Sequence, residues 1–165
     1  MWDMFGKVDW FLITTNSTST KGKAVMGRGI ALEASKRFPT IAKDFATKMG
    51  PCFPATATTA SGISSIASHA TSMHYRPVST IGDYDGQKIG YFMVKDHWAS
   101  DAKLGIIEDS THMLIDILHS VQELHNKDIT VALNFPGIGN GRLKREDVLP
   151  IIELLPDNVQ VWEYE

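Results

Sequence analysis

The sequence contains very little cysteine, because Cys52 is the only one among 165 residues. This excludes an internal disulfide and a zinc site built from several cysteines, and it fits a reducing, cytosolic compartment. No apolar run approaches the roughly 18 to 20 residues that a bilayer requires. The N-terminal segment 1–15 carries two aspartates and no basic region before a cleavage site. It is therefore predicted to be the first strand rather than a signal peptide.

Excess charge of either sign is also missing. The formal net charge of −3 argues against a protein whose main role is to hold bulk nucleic acid. A local anion site stays open, because backbone N–H groups can form one without net charge. Three motifs are absent: the phosphate loop ending in Gly-Lys-Ser/Thr, the G-x-G-x-x-G fingerprint of dinucleotide folds and the G-x-S-x-G nucleophile elbow.

The sequence does contain alternating strand and helix patterns. Apolar runs predict buried strands at 9–16, 128–135 and 158–164, and segments 75–81 and 88–95 flank an Asp-Gly turn signal that indicates a hairpin. Helices are predicted at 27–39, 40–50, 103–126 and 145–155. Such interleaving indicates an α/β layered sheet. We predict one domain over residues 1–165, with a loop at 17–27 and a surface-loop insertion at 51–73.

Two segments repeat the order of buried strand, glycine-rich loop and helix. The first is LITTN followed by VMGRGIALEA, and the second, VALNFPGIGNGRLKRED, places three glycines within five residues. In open α/β sheets, ligands bind beyond the carboxyl ends of the strands, where such loops converge. Glycine lets backbone N–H groups approach an anion, and a following helix N-terminus adds a favourable dipole. One such loop is more typical of a tight turn, whereas the pair favours a diphosphate site.

The stretches TTNSTSTKGKAVMGRGIALEASKRFP and LNFPGIGNGRL resemble the macro domain family, which binds ADP-ribose. The resemblance covers nearly the whole chain outside 51–73. It is greatest to small phage and bacterial members that process ADP-ribose 1″-phosphate. It is more distant to the branch that removes ADP-ribose from glutamate or from DNA bases. The resemblance implies a three-layer α/β/α fold with a mixed central sheet.

The resemblance also implies where a ligand would lie. Asn16 and the loop Val25–Ile30 would surround the distal ribose, and the diphosphate would lie between this loop and Pro136–Arg142. The Asn16 amide suits ribose hydroxyls because it both donates and accepts hydrogen bonds, although capping a strand end is its alternative role. The implied ligand-binding residues are Thr15, Val25, Met26, Gly27, Arg28, Gly29, Ile30, Pro136, Gly137, Ile138, Gly139, Asn140, Gly141 and Arg142.

Lys95 ends the strand pattern IGYFMVK and resembles a lysine that the glycohydrolase branch uses in catalysis. Partial desolvation would lower its pKa and let the amine act as a base or nucleophile. A solvated charge at a strand end is the alternative. That branch also carries an acidic residue in the second glycine loop, whereas residues 139–142 read GNGR and no carboxylate precedes Glu146. The Gly-Asp-Ile/Leu stretch that commonly leads into the adenine pocket is absent as well.

Aromatic and ionisable residues near these segments have two interpretations each. His97 would relay a proton at the pocket rim or cap a strand end. Asp9 is the acid nearest to where the Gly-Asp-Ile/Leu stretch would lie, but it matches that stretch poorly. Trp2, Phe5 or Trp162 would stack on the base, although a core position is more typical of each.

The residues Asp109, His112, Asp116 and His119 share one face of the longest predicted helix. They could bind a divalent metal, but polar residues are expected opposite an apolar stripe. We predict no metal and no cofactor. Cys52 lacks a helix start or a nearby cation and is predicted to be inert.

We therefore predict a monomeric, cytosolic macro domain, in a host cytosol if a phage encodes it. Its predicted partner is ADP-ribose, either free or attached to DNA or protein. No association with a membrane is predicted. The leading hypothesis is hydrolysis of an ADP-ribose derivative, with Lys95 and Asn16 as catalytic residues. The alternatives are a non-catalytic module that sequesters ADP-ribose or a related signalling nucleotide, and an ADP-ribose 1″-phosphate phosphatase.

Overall fold

A computed structural model of the protein describes residues 1–50 and 76–163. The predicted insertion at 51–73, with Cys52, lies outside the described residues. The strands are β1 (Trp10–Asn16), β2 (Ser19–Thr20), β3 (Lys23–Ala24), β4 (Val78–Tyr84), β5 (Gln87–Lys95), β6 (Val131–Asn134) and β7 (Val159–Trp162). The helices are α1 (Gly29–Arg37), α2 (Ile41–Met49), α3 (Leu104–His125) and α4 (Arg145–Ile152), and 3₁₀ turns lie at Trp2–Met4 and Gly139–Gly141.

The central sheet has five strands in the order β4-β5-β1-β6-β7. Strands β5, β1, β6 and β7 are mutually parallel, and β4 pairs antiparallel with β5. The sheet is therefore mixed, as predicted. Because the four parallel strands run in one direction, all of them end at the same side, which we call the carboxyl edge. The side where they begin is the amino edge.

Each face of the sheet is covered by helices. Phe11 and Ile13 of β1 belong to a buried cluster with residues of α1 and α2, whereas Leu12 belongs to a second cluster with residues of α3 and α4. This separation follows from the alternation of side chains along a strand. The arrangement confirms the predicted three-layer α/β/α fold, and the parallel strands are buried on both faces because helices cover both.

Several local predictions were wrong. Segment 17–27 is not a plain loop, because β2 and β3 form a small hairpin. Its turn residues, Lys21 and Gly22, have φ angles of 52° and 73°, which is the left-handed pair that a two-residue hairpin turn requires. Lysine is not a usual signal for that conformation. The first strand begins only at Trp10, and the strand predicted over 128–135 is confined to Val131–Asn134.

Two predictions of local structure, the hairpin and the longest helix, are confirmed. The β4–β5 hairpin turns at Asp85 and Gly86, both with positive φ, as the Asp-Gly signal indicates. Helix α3 matches its predicted range within a residue at each end, and its Leu124 side chain is 78% exposed. Pro150 lies inside α4. Across the described segments, no helix combines the length and apolarity that a membrane crossing would need.

Candidate functional site

A cleft of about 760 Å³ opens at the carboxyl edge of the sheet. Its floor is formed by the ends of β1, β5, β6 and β7, and the two glycine loops form walls. The predicted site residues that line it are Thr15, Asn16, Val25, Gly27, Arg28, Gly29, Ile30, Lys95, Gly137, Ile138, Gly139, Asn140, Gly141 and Arg142. The two loops, which are far apart in sequence, thus meet around one space.

The first glycine loop leads directly into the N-terminus of α1. Arg28 is the N-cap residue, and no side chain caps the helix or places an acid in its first turn. Ile30 and Ala31, in that first turn, line the cleft. The first N–H groups of a helix have no intrahelical acceptor and carry the positive end of the helix dipole. This wall of the cleft therefore suits an anion.

The three glycines of the second loop serve different purposes. A Cβ at Gly137 would lie 2.6 Å from Ile107 Cδ1, and one at Gly141 would lie 2.9 Å from Ala102 Cβ. Gly141 is therefore required by packing against Ala102, just before α3. At Gly137 the crowding adds to a φ of 78°, which disfavours any other residue. Gly139 has open space around it but a φ of 66°, so it is required by the turn. Most of the glycines in this loop are therefore explained by the folding of the loop itself and not by ligand binding in the cleft.

The two glycine loops approach each other closely at Gly29 and Asn140. A Cβ at Gly29 would lie 3.4 Å from the Asn140 side-chain nitrogen. Gly29 has a φ of 56°, a conformation that glycine adopts without the steric penalty of a side chain. The space beside Gly29 is therefore limited by the Asn140 side chain.

Asn16 and Lys95 lie opposite each other on neighbouring strands. The register between β1 and β5 shifts after Thr15, and this irregularity pairs Asn16 with Lys95. The Asn16 amide donates to Val25 O at 2.9 Å and accepts from Thr18 N at 2.8 Å. Asn16 thus fastens the first loop to the strand end, which was its alternative role. One N–H and one lone pair of the amide remain for a ligand.

Lys95 is not a freely solvated strand-end charge. Its Nζ donates to Trp98 O and to Ser100 O, both at 3.0 Å, so the amine is held in one place. Partial burial lowers the pKa of Lys95, the nearby cations Arg28 and Arg142 lower it further, and Asp101 opposes them. A lowered pKa increases the fraction of neutral amine, the form that can act as a base or nucleophile.

Carboxylates are scarce in the cleft. Glu163 is the one acid among the described lining residues, and it accepts a hydrogen bond from Arg145 at 2.6 Å. Asp101 lies nearby but pairs with Arg142 at 3.3 Å. Within residues 1–50 and 76–163, Lys95 therefore has no carboxylate bonded to it. The acid that the glycohydrolase branch carries in its second loop has no substitute in this position.

Four predicted residues do not line the cleft. Met26 and Pro136 are buried, and Met26 belongs to the cluster beneath α1 and α2. His97 lies on the loop after β5, where its Nδ1 accepts from Ala99 N at 3.2 Å. The placement of Asp9 in the site was wrong: it precedes β1 at the amino edge, because the strand must run its whole length before it reaches the cleft.

Four residues at the far end of the cleft were not predicted, and they lie beside Trp162, which was one of three candidates to stack on the base. Thr14 and Asn134 exchange two hydrogen bonds across β1 and β6, of 3.0 and 2.6 Å. Phe135, Trp162 and Glu163 line the same end. Trp162 Nε1 is buried and has no hydrogen-bond partner among the residues that the structure describes. All of these residues lie at the ends of predicted strands, and this position was the sequence signal that could have identified them as cleft residues.

Other candidate residues lie elsewhere. Trp2 and Phe5 pack with Phe11 in an aromatic cluster, which is the core position expected of them. Asp109, His112 and Asp116 line a shallow groove beside β4. In the part of the chain that the structure describes, no three metal-ligating side chains are grouped so that they could hold an ion.

Comparison with known proteins gives relatives of one kind. No protein-family model matches the sequence. The DNA ADP-ribosyl glycohydrolases of Mycobacterium tuberculosis and Mycobacterium bovis are each 31% identical over 140 residues, which is 81% of this chain. The chain spans only 33% of the length of these curated relatives.

Solved structures with the same fold cover almost the entire chain. The macrodomain of Mycobacterium tuberculosis DarG is 26% identical, with a TM-score of 0.56 over 95% of this chain and 88% of that one. The macrodomain of Thermus aquaticus DarG is 23% identical, with a TM-score of 0.55 over 96% and 89%. Thermosipho africanus DarTG, solved in complex with ADP-ribose, is 17% identical, with a TM-score of 0.58 over 96% of this chain and 38% of that one. The chain belongs to the macrodomain family.

Proposed function

We propose that this chain binds ADP-ribose in the cleft and hydrolyses its bond to a carrier, with DNA as the preferred carrier. The observation that carries the proposal is the pairing of Lys95 with Asn16 between two glycine loops. The ligand is supported by the ADP-ribose complex of the Thermosipho africanus protein. The reaction and the carrier are supported by the names of the mycobacterial relatives.

The cleft has the length for an extended ligand with a base at one end. Lys95, Asn16, Asn134 and Trp162 end successive strands β5, β1, β6 and β7. At about 4.8 Å between neighbouring strands, this row spans roughly 14 Å. We assign the distal ribose to the Lys95 and Asn16 end, and the diphosphate to the space between the glycine loops. The uncapped α1 and Arg28 favour negative charge there.

The opposite end of the row suits the adenine base. Phe135 and Trp162 supply aromatic surface, and the buried Trp162 Nε1 offers a donor that a ring nitrogen could accept. The Glu163 carboxylate can accept from an exocyclic amino group. These three residues stand in for the adenine-recognition stretch that the N-terminus lacks.

Lys95 would act at the anomeric carbon of the distal ribose. As a base, its neutral amine takes a proton from water, whose oxygen bonds to that carbon as the bond to the carrier breaks. As a nucleophile, Nζ itself bonds to the carbon while the bond to the carrier breaks and the carrier leaves. Water then attacks the same carbon, breaks its bond to Nζ and releases ADP-ribose. In both routes the bonds to Trp98 O and Ser100 O position the amine.

The proposal is tested by calorimetry with ADP-ribose, followed by mass detection of products from three substrates. These are ADP-ribosylated DNA, ADP-ribosylated protein and ADP-ribose 1″-phosphate. We expect binding and release of ADP-ribose from DNA. Failure to bind ADP-ribose contradicts the whole assignment. Product from the 1″-phosphate alone would instead identify a phosphatase.

A second candidate, a non-catalytic module that binds ADP-ribose, is favoured by one observation. Within the described segments Lys95 lacks a carboxylate partner, and the acid that lines the cleft, Glu163, is paired with Arg145. Such a module would bind ADP-ribose and yield no product from any of the three substrates.

A further inference from the structure

Trp98 is an aromatic side chain that the fold leaves uncovered at the mouth of the cleft. It is 52% exposed and lines the cleft. The other exposed large apolar side chains of the described segments are Leu104, Leu124 and Leu154, so Trp98 is the only aromatic among them. Single exposed leucines are ordinary. A tryptophan exposed at a binding cleft, in contrast, would bury a large aromatic surface if a ligand stacked on it.

The backbone of Trp98 is fixed to both sides of the mouth. Trp98 N donates to Thr18 Oγ1 at 3.1 Å, and Trp98 O accepts from Lys95 Nζ at 3.0 Å. The indole ring lies beside the His97 ring, with ring centroids 5.8 Å apart and an interplanar angle of 34°. Its backbone therefore needs little ordering before it can stack on a ligand, which lowers the entropy lost on binding. The backbone oxygen of Trp98 also holds the amine that we assign to catalysis.

The charges at the mouth indicate what kind of partner would stack there. Arg28, Lys95 and Arg142 all line the cleft, and the Arg142 side chain is 71% exposed. This local cluster of cations contrasts with the formal net charge of −3 of the chain. An aromatic face beside cations is the combination with which proteins bind single-stranded nucleic acid, since bases stack and phosphates pair with cations.

This inference rests on the proposed function. We propose that Trp98 is a stacking platform for a nucleobase of the nucleic acid strand that carries the ADP-ribose. The strand would pass over the mouth while its ADP-ribose enters the cleft. A base inside a duplex already stacks on both faces, whereas an unpaired base offers a free face. The preferred carrier is therefore single-stranded.

The direct test is the affinity for unmodified oligonucleotides, measured by fluorescence anisotropy at low salt. We expect Trp98→Ala to weaken single-strand binding about 5- to 100-fold, and Trp98→Tyr to retain most of the affinity because it keeps an aromatic face. Leu124→Ala, which removes an exposed apolar side chain of α3, is the matched control and should change nothing. A duplex of the same sequence should bind more weakly than the single strand.

Calorimetry with free ADP-ribose on the same variants separates this inference from the proposed function. Unchanged oligonucleotide affinity in Trp98→Ala overturns the platform. An equal loss of ADP-ribose affinity also overturns it, because the ring would then belong to the ADP-ribose site. Equal losses of release from ADP-ribosylated peptide and ADP-ribosylated oligonucleotide would overturn it too, because Trp98 would then act on the ADP-ribose that both substrates share. If the wild type fails to bind ADP-ribose while Trp98→Ala still loses oligonucleotide affinity, the proposed function fails and the platform stands.

Discussion

The two edges of the sheet are built from the same parallel strands, yet their polar groups differ in how completely they are bonded to other groups of the protein. At the amino edge, Gln87 is only 1% exposed, and its side chain accepts from Gly6 N and donates to Val8 O and Asp9 O. The Asp9 carboxylate accepts from Lys127 Nζ, Thr130 N and Thr130 Oγ1. The Lys127 bond and then the Thr130 backbone bond lower the pKa of Asp9 to about 2.

The carboxyl edge leaves several groups without protein partners. The N-terminus of α1 has no side-chain cap, Trp162 Nε1 has no acceptor, and Lys95 lies near the cations Arg28 and Arg142. Burial and the like charge of Arg28 lower the pKa of Lys95, and the opposing effect of Asp101 does not cancel them. Unpaired buried donors, and ionisable groups that lack a bonded counter-ion, are typical of a site that a ligand completes. The comparison therefore assigns stability to the amino edge and ligand binding to the carboxyl edge.

The largest effect is expected from Lys95→Ala. Loss of a base or nucleophile should lower turnover by about 10²- to 10⁴-fold, while calorimetry shows ADP-ribose affinity retained. Lys88→Ala is the matched control, because it removes the same charge from the same strand at the amino edge. Turnover that is unchanged in Lys95→Ala, or equally reduced in both variants, would refute the assignment.

The second prediction separates glycines that the fold requires from one that the ligand requires. Gly137→Ala places a Cβ 2.6 Å from Ile107 Cδ1 and 2.9 Å from Leu143 Cδ1, at a φ of 78°. Overpacking and backbone strain together should lower the free energy of unfolding by about 2 to 4 kcal/mol. Denaturant unfolding measures this change.

Gly27→Ala is the counterpart, because no atom lies within 4 Å of a Cβ there and its φ is not in the left-handed region. Stability should be unchanged or slightly higher, whereas ADP-ribose affinity should fall because the added methyl group enters the cleft wall. Equal ADP-ribose affinity in wild type and Gly27→Ala would show that the ligand does not approach this loop closely.

The sequence reasoning succeeded where a local pattern has one physical solution. Buried strands followed by glycine loops located the carboxyl edge, and Asp85-Gly86 located a hairpin turn. It failed where tertiary contacts decide. Nothing in the sequence pairs Asn16 with Lys95, since that pairing depends on a register shift between strands. The three glycines of the second loop looked alike, but packing partners from α3 distinguish Gly137 from Gly139.

The third prediction concerns the stability of the amino edge. The pKa of Asp9 is lowered from 3.8 to about 2 in the folded protein. Its carboxylate therefore stabilises the fold above pH 4, and this contribution is lost as the pH falls from about 4 to about 2. Since the Asp9 side chain is 30% exposed, solvent screening reduces the effect, and Asp9→Asn should lower the free energy of unfolding by about 1 kcal/mol at neutral pH.

The Asp9→Asn difference should disappear near pH 2, and ADP-ribose affinity should not change at any pH at which the protein is folded. Chemical unfolding at several pH values checks the first expectation. A loss of ADP-ribose affinity in Asp9→Asn would contradict the division between the two edges.

The smallest effect is expected from Trp162→Phe, which removes the unpaired Nε1 and keeps an aromatic ring. If the ligand supplies the missing acceptor, ADP-ribose affinity should fall by about fivefold, the equivalent of one hydrogen bond. Stability should change little, because loss of packed atoms is offset by removal of a buried, unpaired donor. The control is Trp2→Phe, since Trp2 Nε1 already donates to Glu33. That variant should lose stability and keep its affinity. If Trp162→Phe instead behaves like Trp2→Phe, the Trp162 donor serves the fold, and the base end of the cleft must be assigned to other residues.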